Sequence, residues 1–294
     1  MASAQRSAIV AYLSERDTAR GSIAFQRREG ESFAAPGLVR QYPMQFMAFP
    51  VAILAAGRGK RLSPLTDDRP KCLLPIGDTC PLGLILDAVE GAPSVSEIFI
   101  VVGHEKERIA SYVAARRGLG RSLRLIENPR YDTVNNILSA DLLRPHCGDG
   151  LLLVNSDILC HPDVFRAATT AGDNALVIDP ARPPREEAMK VRFERGRLAA
   201  IAKTLDPSTA DGEYIGIARF DRVGAAAFFT ATGAMLAAGR TDEWYEAAIE
   251  VAARDVPFGA VSTAGKPWIE IDDACDLDEA RTRVLPKIVT SNGP

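Results

Sequence analysis

The chain of 294 residues is 47% hydrophobic and 25% charged, which suits one large α/β domain or two small ones with a sizeable core. Its net charge of −3 excludes a globally basic surface that wraps nucleic acid, so a polyphosphate site has to be a local cluster of cations. Five scattered cysteines without a CxxC pair read as reduced thiols of a cytoplasmic protein, and neither a leader pattern nor an apolar run near ~18 residues points to a membrane.

Residues 1–49 carry scattered charges, a short helical pattern at Ala8–Glu15 and little periodicity after it. They read as an extension of unknown role: a tail, a lid or the arm of a homodimer. A domain is expected over 50–285 and a tail over 286–294. Val51–Ala56 is an apolar run closed by glycines, the pattern of a buried parallel strand. A helix follows at Pro81–Glu90, where Leu82, Ile85, Leu86 and Val89 share one face, then a strand at Glu97–Val102. Glu105–Arg117 reads as an amphipathic helix, Arg124–Glu127 as a strand and Asn135–Leu143 as a helix. The apolar strand Leu151–Val154 ends in Asn155-Ser156-Asp157, and a helix opens near Pro162. After a strand at Ala175–Ile178 the pattern becomes β-rich. Met189–Phe193 and Leu198–Lys203 flank a Glu194-Arg195-Gly196 turn, and Tyr214–Phe220 is a third strand. Helices at Ala225–Ala238 and Glu243–Arg254, strands at Phe258–Thr263 and Trp268–Ile271, and a helix from Asp276 complete the pattern. It predicts a doubly wound, mostly parallel, Rossmann-like α/β sheet with a β-rich insertion on the substrate side.

The chemistry concentrates just after the first strand, in Leu54-Ala55-Ala56-Gly57-Arg58-Gly59-Lys60-Arg61-Leu62 and the Pro70-Lys71 that follows. The glycines allow a sharp turn and a close approach to a ligand, and their N–H groups can converge on an anion. Arg58, Lys60, Arg61 and Lys71 supply the charge a triphosphate needs. The loop is neither a Walker A loop, lacking Gly-Lys-Ser/Thr, nor a dinucleotide fingerprint, since Leu62 fills the last glycine position. Asp157 and Asp272 each end an apolar strand, which puts them at the carboxyl edge where open α/β sheets bind ligands. Two carboxylates with substrate phosphates form an ordinary Mg²⁺ site, although Asp272 could instead cap the following helix.

Leu-Ala-Ala-Gly-x-Gly-x-Arg-Leu-x-Pro-Leu-Thr followed by Pro-Lys-x-Leu-Leu-Pro resembles the signature of the sugar-nucleotidyltransferase superfamily. The resemblance implies that Leu54, Ala55, Ala56, Gly57, Arg58, Gly59 and Lys60 hold the nucleotide. It further implies that Arg61 meets its β- and γ-phosphates and that Lys71 reaches the α-phosphate and the acceptor's phosphoryl group. Asn128-Pro-Arg-Tyr131 with Asn135, Asn136 and Ser139 resembles the phosphocholine cytidylyltransferase-like enzymes, which implies CTP. Asn135 could equally cap a helix. The same resemblance implies Asp157 and Asp272 as metal ligands, and Lys190, Lys203, Glu213, Trp244, Tyr245 and Glu246 as acceptor-binding residues. Trp244 and Tyr245 could also be core residues of a helix. The expected partners are CTP and a small phosphate- or phosphonate-bearing acceptor, with Mg²⁺. The other readings are a sugar- or inositol-1-phosphate nucleotidyltransferase using CTP, GTP or UTP, and an inactive nucleotide-binding domain.

Overall fold

The computed structural model describes residues 48–116 and 118–290. The helix expected at Ala8–Glu15, and all of 1–49 before Ala48, lie outside these residues, as do 291–294. Strand β1 (Phe49–Ala55) is buried at nearly every position and occupies the middle of the main sheet. It pairs in parallel with β2 (Val95–Val102) on one side and with β4 (Leu151–Asn155) on the other. Strand β3 (Ser122–Glu127) extends the parallel run beyond β2. Because β1 has parallel partners on both sides, its carboxyl end and that of β4 flank the crevice where open α/β sheets bind ligands.

Beyond β4 the sheet changes direction. Strand β9 (Gly212–Phe220) runs antiparallel between β4 and β6 (Ala175–Asp179), and β10 (Gly259–Ser262) returns parallel to β6. The hairpin of β7 (Lys190–Glu194) and β8 (Arg197–Ala202) forms where the turn chemistry predicts it, with Arg195 and Gly196 at positive φ. Sequence reading groups Tyr214–Phe220 with this hairpin. The strand in fact starts there, pairing at Gly212 and Glu213 with β7, and then crosses into the central sheet.

Alternation along β1 divides the core. Ala52, Leu54 and Ala56 face one apolar cluster, with α3 (Asn136–Asp141), α5 (Arg222–Ala237) and α6 (Tyr245–Ala253). Phe49, Val51, Ile53 and Ala55 face the other, with α1 (Pro81–Glu90), α2 (Lys106–Ala115) and α4 (Pro162–Thr170). Helices cover both faces, as a doubly wound sheet requires.

The strand expected at Trp268–Ile271 forms as β11 (Trp268–Glu270), but its partner escapes sequence reading: β5 (Ile158–Cys160), which pairs antiparallel with it, is three residues long and too short to show a period. Past β11, α7 (Ala274–Glu279), a π-turn at Ala280–Val284 and α8 (Leu285–Thr290) run on continuously. Leu277, Val284 and Ile288 join Leu62, Leu74, Leu159 and Ile271 in a third apolar cluster. Burial of Ile288 carries the packed body beyond residue 285.

Candidate active site

A cleft of about 290 Å³ opens at the carboxyl ends of β1 and β4 and is walled by α3, β9 and the start of α6. A wider hollow of about 720 Å³, lined by Arg69, Asp78, Cys80, Arg108 and Tyr112 among others, contains none of the expected site residues. The chemistry is therefore argued for the cleft.

The glycine-rich loop forms its floor. Leu54 and Ala56 line the cleft, whereas Ala55 points into the opposite apolar layer, as the period of the strand dictates. Gly59 adopts φ +64°, and a Cβ there would lie 3.1 Å from Lys71 Cβ, so the loop rests directly on the lysine. Thr66 Oγ1 donates to the Gly59 carbonyl at 2.9 Å and fixes the turn. Lys60–Leu62 then form one 3₁₀ turn, whose successive side chains diverge by about a third of a revolution. Leu62 is buried and Arg61 reaches the cleft, while Lys60, like Arg58, is exposed and outside the lining. Ala55, Arg58 and Lys60, expected among the nucleotide-binding residues, are thus not in the lining of the cleft, and of these three the loop leaves only backbone to offer a ligand there.

Charge concentrates opposite the loop. Lys71 Nζ lies 2.7 Å from Asp157 Oδ2 and 2.9 Å from Asp272 Oδ1, and Arg61 Nη2 lies 2.8 Å from Asp272 Oδ1. Burial opposes the Lys71 charge, but the two aspartates outweigh it and hold the ammonium charged well above the ordinary lysine range. Burial likewise opposes ionisation of Asp272, but Lys71 and Arg61 keep it ionised below the ordinary aspartate range. Lys71 and Asp272 are 201 residues apart in the chain. Asp157 and Asp272 meet because β5 and β11 pair and Ile271 N donates to the Asp157 carbonyl at 3.0 Å. The helix cap is Asp273, not Asp272.

Glu270 completes the acidic group and was missed by sequence reasoning, which had taken Asp272 alone from this strand end. Its signal was the i, i+2 spacing, which puts both carboxylates on one side of an extended chain. Burial, then Asp157 and Asp272, push its pKa well up. One carboxylate oxygen from each of Asp157, Glu270 and Asp272 falls within 4.8 Å of the others. Asp157 Oδ1 is buried without a hydrogen-bond partner. An all-oxygen donor set with a free lone pair fits a hard divalent cation.

The opposite wall holds the asparagines. Asn135 caps α3, its Oδ1 accepting from Asn136 N at 2.7 Å, while its Nδ2 donates to the Asp242 carbonyl at 3.0 Å. Asn136 Oδ1 accepts from Tyr245 N at 2.9 Å, and Asn128 Nδ2 donates to Ser139 Oγ at 2.9 Å. Asn128, Tyr131, Asn135, Asn136 and Ser139 all line the cleft.

The far end separates the six expected acceptor residues. Lys203, Trp244 and Glu246 line the cleft with Glu187, Met189 and Tyr214, but Lys190, Glu213 and Tyr245 do not. Lys190 is 1% exposed, and its ammonium donates to the carbonyls of Arg185, Glu186 and Ala188. A buried lysine needs such acceptors, so it ties down the segment before β7 instead of facing the ligand. Glu213 is buried beside Arg185, 4.0 Å away. Tyr245 is fully buried, its hydroxyl 2.9 Å from that of Tyr214 and donating to Asn155 Oδ1 at 3.1 Å. Lys203 Nζ sits 4.7 Å above the Trp244 ring. Burial raises the Glu246 pKa to about 7, with the Asp157 charge adding to it.

Residues 51–215, more than half of the chain, match the model of the MobA-like NTP transferase domain. The chain belongs to the MobA-like NTP transferase family. Within this family of nucleotidyltransferases, similar proteins include the bifunctional IPC transferase and DIPP synthase of Rubrobacter xylanophilus, 28% identical over 83% of this chain and 54% of its own length. The CMP-5'-(3-aminopropyl)phosphonate synthase of Streptomyces rubellomurinus is 30% identical over 53% of this chain and 23% of its own length. The chain thus spans about half of the first of these relatives and about a quarter of the second. Among solved structures, the CTP:phosphocholine cytidylyltransferase of Streptococcus pneumoniae superposes with a TM-score of 0.66 at 21% identity, covering 79% of this chain and 98% of that one. The inositol-1-phosphate CTP transferase of T. maritima gives 0.66 at 19% identity, covering 84% and 98%. At these identities the structures establish the NTP transferase fold, a mostly parallel sheet flanked by helices with added antiparallel strands.

Proposed function

We propose that the protein transfers CMP from CTP to a small acceptor bearing a phosphate or phosphonate group and releases pyrophosphate. The observation that carries this reading is Lys71, held between Asp157 and Asp272 against the Gly57–Gly59 turn. A fixed cation beside a carboxylate cluster is the arrangement that a polyphosphate with its divalent cation would need, which supports the reading. The choice of CTP is supported by the cytosine nucleotides in the names of the relatives and neighbours. Asn136, with its Nδ2 not engaged by Tyr245, and Ser139 are the groups we assign to the base.

The acceptor oxygen is already anionic near neutral pH, since the second phosphate pKa is about 6. No protein nucleophile or general base is needed. The acceptor oxygen forms a bond to the α-phosphorus in line with departure of the β-phosphate oxygen, whose bond to that phosphorus breaks. Lys71 stabilises charge on the α-phosphate and on the incoming group, and Arg61 steadies the leaving pyrophosphate. Asp157, Glu270 and Asp272 are the residues that would hold Mg²⁺, which supplies charge neutralisation on the reacting phosphates when bound. The protein would work in the cytoplasm, where CTP is made.

Replacement Lys71→Ala or Asp157→Ala is expected to lower CMP transfer roughly 10²–10³-fold while the circular dichroism spectrum is retained. Mass detection of the CMP adduct, with CTP, UTP and GTP offered in parallel, checks this. Near-normal pyrophosphate release by both folded variants sinks the assignment. An inositol-1-phosphate acceptor is the second reading, favoured by the 83% of this chain that aligns with the Rubrobacter relative. Including that acceptor in the same assay decides between them.

A further inference from the structure

We propose that His104 is a positioning residue of the nucleotide site, one that sets the direction of the glycine-rich loop's N–H groups without touching the nucleotide. The proposal rests on the reading of the cleft as a nucleoside triphosphate site.

His104 lies just past β2, is 5% exposed and is not in the lining of the cleft. It nevertheless holds the loop at two points. Its backbone N donates to the Ala56 carbonyl at 3.0 Å, where β1 gives way to the loop. Its ring Nε2 lies 2.8 Å from the Thr66 carbonyl oxygen. A carbonyl only accepts, so Nε2 is the donor and the ring carries its hydrogen there. Thr66 is 2% exposed and passes the hold on, since its Oγ1 donates to the Gly59 carbonyl. A buried imidazole, a buried threonine and the glycine turn thus form one hydrogen-bonded chain.

These bonds decide what the loop offers a ligand. The Ala56–Gly57 and Gly59–Lys60 peptides are trans, so each N–H points opposite to the carbonyl of its own peptide. With the Ala56 carbonyl tied back to His104, the Gly57 N–H is turned away from His104. With the Gly59 carbonyl tied to Thr66, and also accepting from Leu62 N at 2.9 Å, the Lys60 N–H is turned away from Thr66. Fixed N–H groups suit an anion, whereas a loop free to rotate its peptides would have to order them on binding. The surroundings leave little room for such rotation. A Cβ on Gly103 would lie 2.8 Å from the Ala56 carbonyl oxygen and 2.6 Å from Cγ of Tyr131, which lines the cleft. Of the two holds, the one made by the His104 ring is open to substitution.

The test measures binding of a non-hydrolysable CTP analogue with Mg²⁺ to the full chain by calorimetry. Replacement His104→Leu removes the donor, and His104→Gln returns one through its Nε2. H104L is expected to weaken binding about 10-fold, and H104Q to stay within about threefold of the parent. In the transfer assay the nucleotide KM of H104L should rise by a similar factor while the acceptor KM shifts less than about threefold, a split that general loosening of the fold would not produce. Thr66→Val breaks the chain at its other link and serves in place of H104L if that variant does not fold. It is expected to match H104L, and the double variant to be no weaker than either single one. Parent-like affinity in H104L and T66V, equal impairment of H104Q and H104L, or additive losses in the double variant overturns the proposal. Parent-like affinity in both variants together with CMP transfer by the parent removes the role of His104 and leaves the reaction standing. Absence of analogue binding by the parent removes the reading of the cleft, and the proposal with it.

Discussion

Glu246 shows how burying a single carboxyl beside the cleft ties stability to pH. Burial lifts its pKa from the ordinary 4.5 to about 7, so the folded protein binds a proton there more tightly than the unfolded chain does. Stability contributed by that proton is fully present below about pH 4.5 and is lost as pH rises through about 7. The variant Glu246→Gln carries no such dependence. Its melting temperature is expected to exceed that of the parent at pH 8, with the gap closing toward pH 5. A gap that is constant across this range, or that widens toward acid, would show the carboxyl to be ordinarily ionised in the fold. Lys71 is the opposite case, a buried charge that its partners more than stabilise. In the sequence its importance was legible from the Pro-Lys that follows a basic glycine-rich loop. The fate of Lys190 was not, because a lysine in a strand reads the same whether its head meets a ligand or three carbonyls of its own chain.

At the scale of elements, β9 does more than a third hairpin strand would. It leaves the β7–β8 hairpin, passes the cleft and enters the central sheet, and the bend comes at Gly216. Gly216 has φ +84°, and a Cβ there would lie 2.8 Å from Asn155 Nδ2 and 2.9 Å from Asn155 Cβ. Replacement Gly216→Ala combines backbone strain with this overlap and is expected to cost about 1–3 kcal/mol in denaturant unfolding. It should also disturb Asn155, which accepts from the Tyr245 hydroxyl that is bonded in turn to Tyr214. Unchanged stability would mean that β9 does not need the positive φ in solution. The major strands and helices were legible because their apolar periods are long enough to read. That of β5 was not, and with its pairing to β11 went the company that Asp157 keeps with Glu270 and Asp272.

Across the whole molecule, the third apolar cluster joins the two ends of the described chain. Leu62 and Leu74, which flank the cationic loop, pack with Leu277, Val284 and Ile288 of the C-terminal helices. The loop that carries Arg61 and Lys71 is thus backed by residues from the end of the chain. Replacement Ile288→Ala removes buried volume far from the cleft and is expected to cost about 2–4 kcal/mol. It should also raise the KM for the nucleotide, because the loop loses its support. A drop in unfolding midpoint with an unaltered KM would show the helices to be a passive addition.

The sequence by itself determined the alternating sheet, the position of the glycine-rich turn and the strand-end aspartates, since each is written in local pattern or short motif. Only the tertiary structure decided which residues share the cleft. Glu270 entered through a ladder too short to read, and Glu213 and Lys190 left through partners of their own. Tyr245 turned into the core while its neighbours Trp244 and Glu246 remained on the wall. The physical reason is that a motif fixes the chemistry a side chain can offer, whereas its use depends on burial and on partners hundreds of residues away.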